Sequence, residues 1–221
     1  MHTNQVMLLM SKRFVLIGSG GHAAMLYACL MSRGITTSVI VTSDLKKQDI
    51  SFFENKTKKI EFFNDTEFQK EFKPNDVVLI NGIGFMPGSH LRDQIYKNYK
   101  RLNYNFYTLI SGTAIVNDNV KVDEGVQICN GAIVNNDVNV GKNTIINSGC
   151  IVEHNASIGC STHVCPGAIL CGSVTLGNNT YIGPGTVISN GTIIGNDCII
   201  GAGSRILKNV CSGEKIYGLY R

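Results

Sequence analysis

From Ile110 onward an aliphatic residue returns every sixth position: Ile110, Val116, Val122, Ile128, Val134 and so on without a slip to Ile206, seventeen positions in all. Four residues after each stands a small or β-branched residue, such as Ala114, Ala132, Cys150, Ala168, Thr180 or Cys198. Glycine often follows the aliphatic position directly, as at Gly141, Gly159, Gly177, Gly183, Gly195 and Gly201. A period of six fits neither the 3.6 of a helix nor the two of an ordinary strand. It fits a parallel β-helix over residues 110–211, in which three short flat faces make one triangular coil of eighteen residues. Each aliphatic side chain then points inward and stacks on its equivalent one coil away, at roughly 4.8 Å. Asn117, Asn135, Asn136, Asn143, Asn178, Asn179, Asn190 and Asn196, with the glycines, supply the turn conformations that corners need. Nearly six coils give a prism roughly 25 Å tall.

The 109 residues before the repeats follow a different pattern. Arg13–Ile17, Thr37–Val41 and Asp76–Ile80 read as buried strands, with a short one near Phe106-Tyr107. Between them lie helical stretches through about Ser32 (with Gly34 at the C-cap position), around Asp65–Phe72 and around Ser89–Arg101. Alternating strand and helix predicts a small parallel α/β domain. The expected division is therefore 1–108 for that domain and 109–221 for the prism.

Composition narrows the partners. A net charge of +4 is spread along the chain with no long basic run, and pairs such as Lys46-Lys47 and Lys58-Lys59 read as solvated surface rather than a nucleic-acid footprint. Eight cysteines have no CxxC spacing, and Cys150 and Cys198 fall on interior positions of the coil. Val6–Met10 is too short an apolar core for a secretory signal, so reduced cysteines in a cytoplasmic protein are expected.

Two places carry chemistry. Gly18-Ser19-Gly20-Gly21-His22-Ala23 matches G-x-G-x-x-A at a strand-to-helix junction, where backbone N–H groups receive an anion, and Asp44 follows at the distance of a ribose-binding acid. NAD, another nucleotide diphosphate and a turn that only packs all remain open readings of that stretch. In the prism there are two histidines, His154 and His163. His154 takes an outward corner position, and an eighteen-residue coil puts Gly172 directly above it. A base beside a side-chain-free N–H is what acyl transfer uses, the one for the incoming nucleophile and the other for the oxyanion. The alternative is a solvated surface histidine. His163 lies half a coil away, roughly 10–15 Å within one chain, so the two could meet only between neighbouring copies about a threefold axis.

The GSGGHA turn, the Gly82-Ile83-Gly84 segment and the histidine-bearing repeats together resemble the NeuD/PglD family of hexapeptide-repeat sugar O- and N-acyltransferases, over nearly the whole chain. That resemblance implies a left-handed β-helix behind a Rossmann-like domain, acetyl-CoA along the coils, no metal, and a homotrimer with sites at its interfaces. It implies that Gly18, Gly20, Gly21, His22, Asp44 and Gly82 line a pocket for a nucleotide-linked amino sugar, with Arg92 a diphosphate contact. It makes His154 the general base, Gly172 N–H the oxyanion donor, and His163, Pro184 and Ala202 contacts to the coenzyme. Many members carry an acid after this histidine; here Asn155 takes its place and can orient the ring without a charge. Many also end in a GNPA-like segment, where this sequence reads Tyr217-Gly218-Leu219-Tyr220-Arg221.

The implied reaction is N-acetylation of a UDP- or dTDP-linked 4-amino-4,6-dideoxy sugar for a bacterial surface glycan. A sialic acid O-acetyltransferase is the nearest alternative. A zinc enzyme of the γ-carbonic anhydrase kind would need three imidazoles per metal, which two histidines at this spacing match poorly. A purely structural prism would show flat threonine ladders and have no use for Gly18–Ala23.

Overall fold

The computed structural model describes residues 12–43, 53 and 60–221. The chain divides into two compact units, Met1–Gly84 with Gln94–Tyr107 and Phe85–Asp93 with Thr108–Arg221.

The first unit is a four-stranded parallel sheet in the order β3-β2-β1-β4, where β1 is Arg13–Ile17, β2 Thr37–Val41, β3 Glu61–Phe63 and β4 Val77–Asn81. Its helices are α1 (Gly21–Ser32), α2 (Asp65–Glu71) and the larger part of α3 (Leu91–Arg101). β1 and β4 are nearly continuous runs of Val, Leu and Ile, as strands buried on both faces must be. α2 starts on a capping box: the Glu67 N–H donates to Asn64 Oδ1 at 2.9 Å and the Asn64 N–H to Glu67 Oε2 at 3.2 Å. Phe68, Phe72, Tyr99, Tyr104 and Phe106 pack as an aromatic core beneath β1 and β4. β3 was not foreseen, because three residues of Glu-Phe-Phe are too short for a periodicity signal.

The second unit is a left-handed parallel β-helix. Each coil contributes a two-residue strand to each of three parallel sheets, and partners are eighteen residues apart, as in Ile128 with Ile146 and Val164, or Val152 with Leu170. The inward column is closed to solvent: Ile128, Val134, Ile146, Val152, Val164, Leu170, Ile182, Ile188, Ile200 and Ile206 are all 0 % exposed. The small residues at the fourth position fill the narrow corners, with Ala132, Cys150, Ala156, Ala168, Thr180 and Cys198 equally buried. The glycines after the aliphatic position answer a spacing problem. A Cβ on Gly159, Gly177, Gly183 or Gly195 would meet the backbone of the next coil at 2.5–2.6 Å.

Corner asparagines divide into two kinds. Asn143, Asn155 and Asn179 adopt φ near 60°, which Asn tolerates better than most residues. Asn178 and Asn196 instead use Oδ1 to accept the N–H of Cys160 and Asn178 one coil below, at 2.7 and 2.8 Å. A threonine ladder runs inside the wall. Thr144, Thr162 and Thr180 Oγ1 donate to the carbonyls of Gly159, Gly177 and Gly195 at 2.7–2.8 Å. Thr162 and Thr180 N–H groups donate to the hydroxyl of the threonine below.

After Ile206 the six-residue register is lost, yet the prism continues. Ile216 pairs with Ile200 and Tyr220 with Ile206, while Val210 bridges Ile194. The final turn is shorter by two to four residues than those before it, so a strict six-residue count misses it.

Replacing Thr162 by Val should cost about 1–3 kcal/mol, because the Gly177 carbonyl and Thr180 N–H lose a buried partner while the shape is kept. Urea unfolding would measure it, and Thr175→Val on the exposed wall should stay within about 0.5 kcal/mol.

Candidate active site

In the first unit the GSGGHA turn joins the end of β1 to the start of α1. Gly18 has φ 96° and donates its N–H to the Val41 carbonyl at 2.7 Å. Gly20 is the N-cap of α1 without a side-chain cap, and neither Gly20 nor Gly21 has an atom within 4 Å of a Cβ position. No acidic residue stands in the first turn, so the N–H end of α1 keeps its positive character. His22 is half-buried, with its Cβ 3.4 Å from the Cβ position of Gly84. Ser19 and Thr42 share a hydroxyl hydrogen bond of 3.1 Å beside the turn, a pair the motif alone does not reveal. Gly82 has a packing role here. A Cβ there would fall 2.6 Å from the Ile17 carbonyl and 2.8 Å from Ala23. Asp44 lies outside the described residues.

Arg92 corrects the expectation placed on it. It is 2 % exposed, and its Nε donates to the Asn143 carbonyl at 2.9 Å. Burial pulls its pKa down from 12.5 to about 9. Next to it, Ser161 Oγ donates to Asp93 at 2.8 Å and accepts from Asn143 Nδ2 at 3.0 Å. A guanidinium sunk in the prism corner cannot contact a diphosphate in solvent; it fastens the Phe85–Asp93 segment to the coils.

His163 is likewise enclosed. It is 7 % exposed, between Phe85 and Tyr181 at ring distances of 6.0 and 5.7 Å, with Nε2 3.0 Å from Asn147 Nδ2. Within a single chain it offers a ligand little surface. Pro184 and Ala202 are exposed and in register at one corner, joined through the Gly203 N–H to the Pro184 carbonyl at 2.8 Å.

His154 stands on another corner, exposed, with Gly172 one coil above. A Cβ on Gly172 would lie 2.8 Å from His154 Nε2 and 2.7 Å from Asn190 Oδ1, so only glycine leaves the ring its place. Asn155, at φ 60°, sets its Oδ1 2.8 Å from Nδ1. With Nδ1–H donating to that oxygen, the Nε2 lone pair is directed toward Gly172. Asn155 is thus the residue that orients the ring. The Cys171 and Ser173 N–H groups donate to Ile188 and His154 carbonyls, whereas among the described residues the Gly172 N–H makes no backbone hydrogen bond. Asn190, one coil beyond Gly172, completes the corner; counting eighteen forward once more would have found it. Among the described residues no group of three His, Cys, Asp or Glu side chains is arranged to hold a metal ion, and no helix is long and apolar enough to cross a membrane.

Residues 155–190 and 173–208 match the family described as bacterial transferase hexapeptide (six repeats). PerB from Caulobacter crescentus, solved with CoA and GDP-perosamine, is 26 % identical with a TM-score of 0.81, over 93 % of this chain and 94 % of that one. A variant of perosamine N-acetyltransferase from the same organism, also with CoA and GDP-perosamine, is 25 % identical with a TM-score of 0.81, over 93 % of each chain. The chain is a hexapeptide-repeat acyltransferase. The acetyltransferase domain of PglB from Neisseria gonorrhoeae shares the fold at 22 % identity and a TM-score of 0.81, over 94 % of this chain and 97 % of that one. No match was found among curated proteins.

The buried thiols of this acyltransferase give its stability an alkaline limit. Burial raises Cys150 and Cys165 from 9.0 to about 12, and raises Tyr181 beside Cys165 as well. Below about pH 9 their contribution is fully present. As pH rises toward 12 the unfolded chain sheds thiol protons that the folded chain keeps, and stability falls. Arg92 opposes this with one proton, since its lowered value leaves the unfolded chain the better proton binder in the same range. Urea midpoints should therefore decline from pH 9 to 11, and Cys150→Ala should flatten part of that decline.

Proposed function

We propose that this acyltransferase moves the acetyl group of acetyl-CoA onto the 4-amino group of a nucleotide-linked 4-amino-4,6-dideoxy sugar, in the cytoplasm, for a bacterial surface glycan. The observation that carries the reading is the corner at His154, where an oriented imidazole nitrogen faces a glycine whose N–H is not spent on the coil ladder. CoA and GDP-perosamine bound together in PerB support the donor and the class of acceptor.

His154 Nε2 takes a proton from the amine as its nitrogen attacks the thioester carbon. The Gly172 N–H donates to the oxyanion of the tetrahedral intermediate. Collapse breaks the carbon–sulfur bond, the thiolate leaves with the proton held on His154, and an amide remains on the sugar. Asn155 fixes the tautomer throughout but adds no negative charge beside the imidazolium. The nucleotide part of the acceptor belongs with the Rossmann-like first unit, whose uncapped α1 N-terminus and Gly20-Gly21 backbone suit a diphosphate.

The working form is a homotrimer in this reading. Ile115, Ile133, Ile151, Ile169 and Val187 form an outward aliphatic column on the wall that ends at the His154 corner, and Ile115 is 59 % exposed. Such a strip calls for cover by another copy, which would bring a neighbour's wall alongside His154.

Thiol release from acetyl-CoA against GDP-, UDP- and dTDP-linked 4-amino sugars and free sialic acid tests the assignment. Turnover with one nucleotide-linked amino sugar is expected; turnover with sialic acid alone would move the activity to O-acetylation. His154→Ala should lower kcat by about 10²–10⁴, and Gly172→Ala, which keeps the N–H but pushes the His154 ring from its place, should lower it toward the same range, both with little change in thermal midpoint. Ile151→Asp should give an inactive monomer in sedimentation; an active monomer would contradict the trimer.

A further inference from the structure

The corner at His154 holds a second acceptor atom. Asn190 is the third residue of its rung, after Ile188 and Ser189, just as Asn178 follows Leu176 and Gly177 and Asn196 follows Ile194 and Gly195. In those two rungs the side-chain oxygen is spent on the coil below, where it accepts the N–H of Cys160 or of Asn178. Asn190 departs from that use. Its side chain is exposed, and among the described residues its amide makes no hydrogen bond. The N–H that the pattern would offer it, that of Gly172, takes no backbone partner either.

The direction of the amide is nevertheless defined. Asn190 Oδ1 lies 2.7 Å from the point that a Cβ on Gly172 would occupy, and His154 Nε2 lies 2.8 Å from the same point. Two acceptors thus converge from the coils on either side of Gly172, one an imidazole lone pair and the other an amide oxygen. A single nitrogen standing before Gly172 can reach both at hydrogen-bond distances of about 2.9 Å.

An attacking amine has the matching valence. A neutral amine offers two N–H donors and one lone pair, whereas a hydroxyl offers one donor and two lone pairs. With one N–H on His154 and the other on Asn190, the amine's lone pair is left to aim at the thioester carbon. His154 takes the first hydrogen as the carbon–nitrogen bond forms and the carbon–sulfur bond breaks. The second hydrogen stays on the amide product, still held by Asn190. Positive charge growing on the nitrogen strengthens that second bond toward the transition state. A hydroxyl in the same place gives its only hydrogen to His154 and turns a lone pair on Asn190 Oδ1, which repels it.

We propose that Asn190 is the residue that selects an amine over a hydroxyl at this corner. The inference rests on His154 as the base and adds the reason that the acceptor atom is nitrogen.

Thiol release from acetyl-CoA by the full chain tests it, with GDP-, UDP- and dTDP-linked 4-amino-4,6-dideoxy sugars and their 4-hydroxy counterparts as acceptors. Asn190→Ala should lower kcat for the amino sugar about ten- to a hundredfold, the worth of a hydrogen bond to a charged group, with little change in KM. Its rate on the 4-hydroxy counterpart should stay level or rise. Asn190→Asp keeps an acceptor oxygen in place and should recover most of the loss. Both variants should keep the wild-type thermal midpoint, since the amide makes no bond to the coils. An amino-sugar kcat unchanged in Asn190→Ala, a loss that Asn190→Asp does not recover, or an equal fall on both acceptors would overturn the selection. A wild-type chain that turns over no amino sugar would instead sink the acceptor reading, and this inference with it.

Discussion

The structure depends on parallel stacking at a fixed interval of eighteen residues. Strand after strand donates N–H to a carbonyl of the coil next to it, so one coil's geometry dictates that of its neighbour. Residues far from one another in a helix or an ordinary sheet become vertical neighbours here. His154, Gly172 and Asn190 share a corner for that reason, and a single inserted residue between them would part the imidazole from the Gly172 backbone. The same stacking creates the demand for glycine after the aliphatic position and for hydroxyls that satisfy corner carbonyls.

Rigidity of this kind suits acyl transfer. A preorganised donor gains most where it need not move when charge develops. The Gly172 N–H is set by coils above and below, and the imidazole by Asn155 at a left-handed corner. Asn is well suited to that backbone, whereas a longer acid would pay for the positive φ. Asn155 thus directs the ring without adding a charge beside it.

Much of this was legible because periodicity is a property of sequence. The seventeen aliphatic positions pointed to the interior column, and counting eighteen from His154 found Gly172. What failed was information the period does not contain. The family resemblance made Arg92 a diphosphate contact; its burial against Asn143 comes from how residues 85–93 pack on the coils. His163 sits at an outward wall position by count, yet Phe85 and Tyr181 enclose it. The short last turn escaped because dropping two residues at each of two corners leaves the fold intact while shifting the register.

The most direct test of the central claim is a crystal structure with a non-hydrolysable acetyl-CoA analogue. The account places the acyl oxygen about 3 Å from Gly172 N, with His154 Nε2 open toward the acyl carbon from the acceptor's side. An acyl group bound at another corner, away from His154 and Gly172, would contradict it.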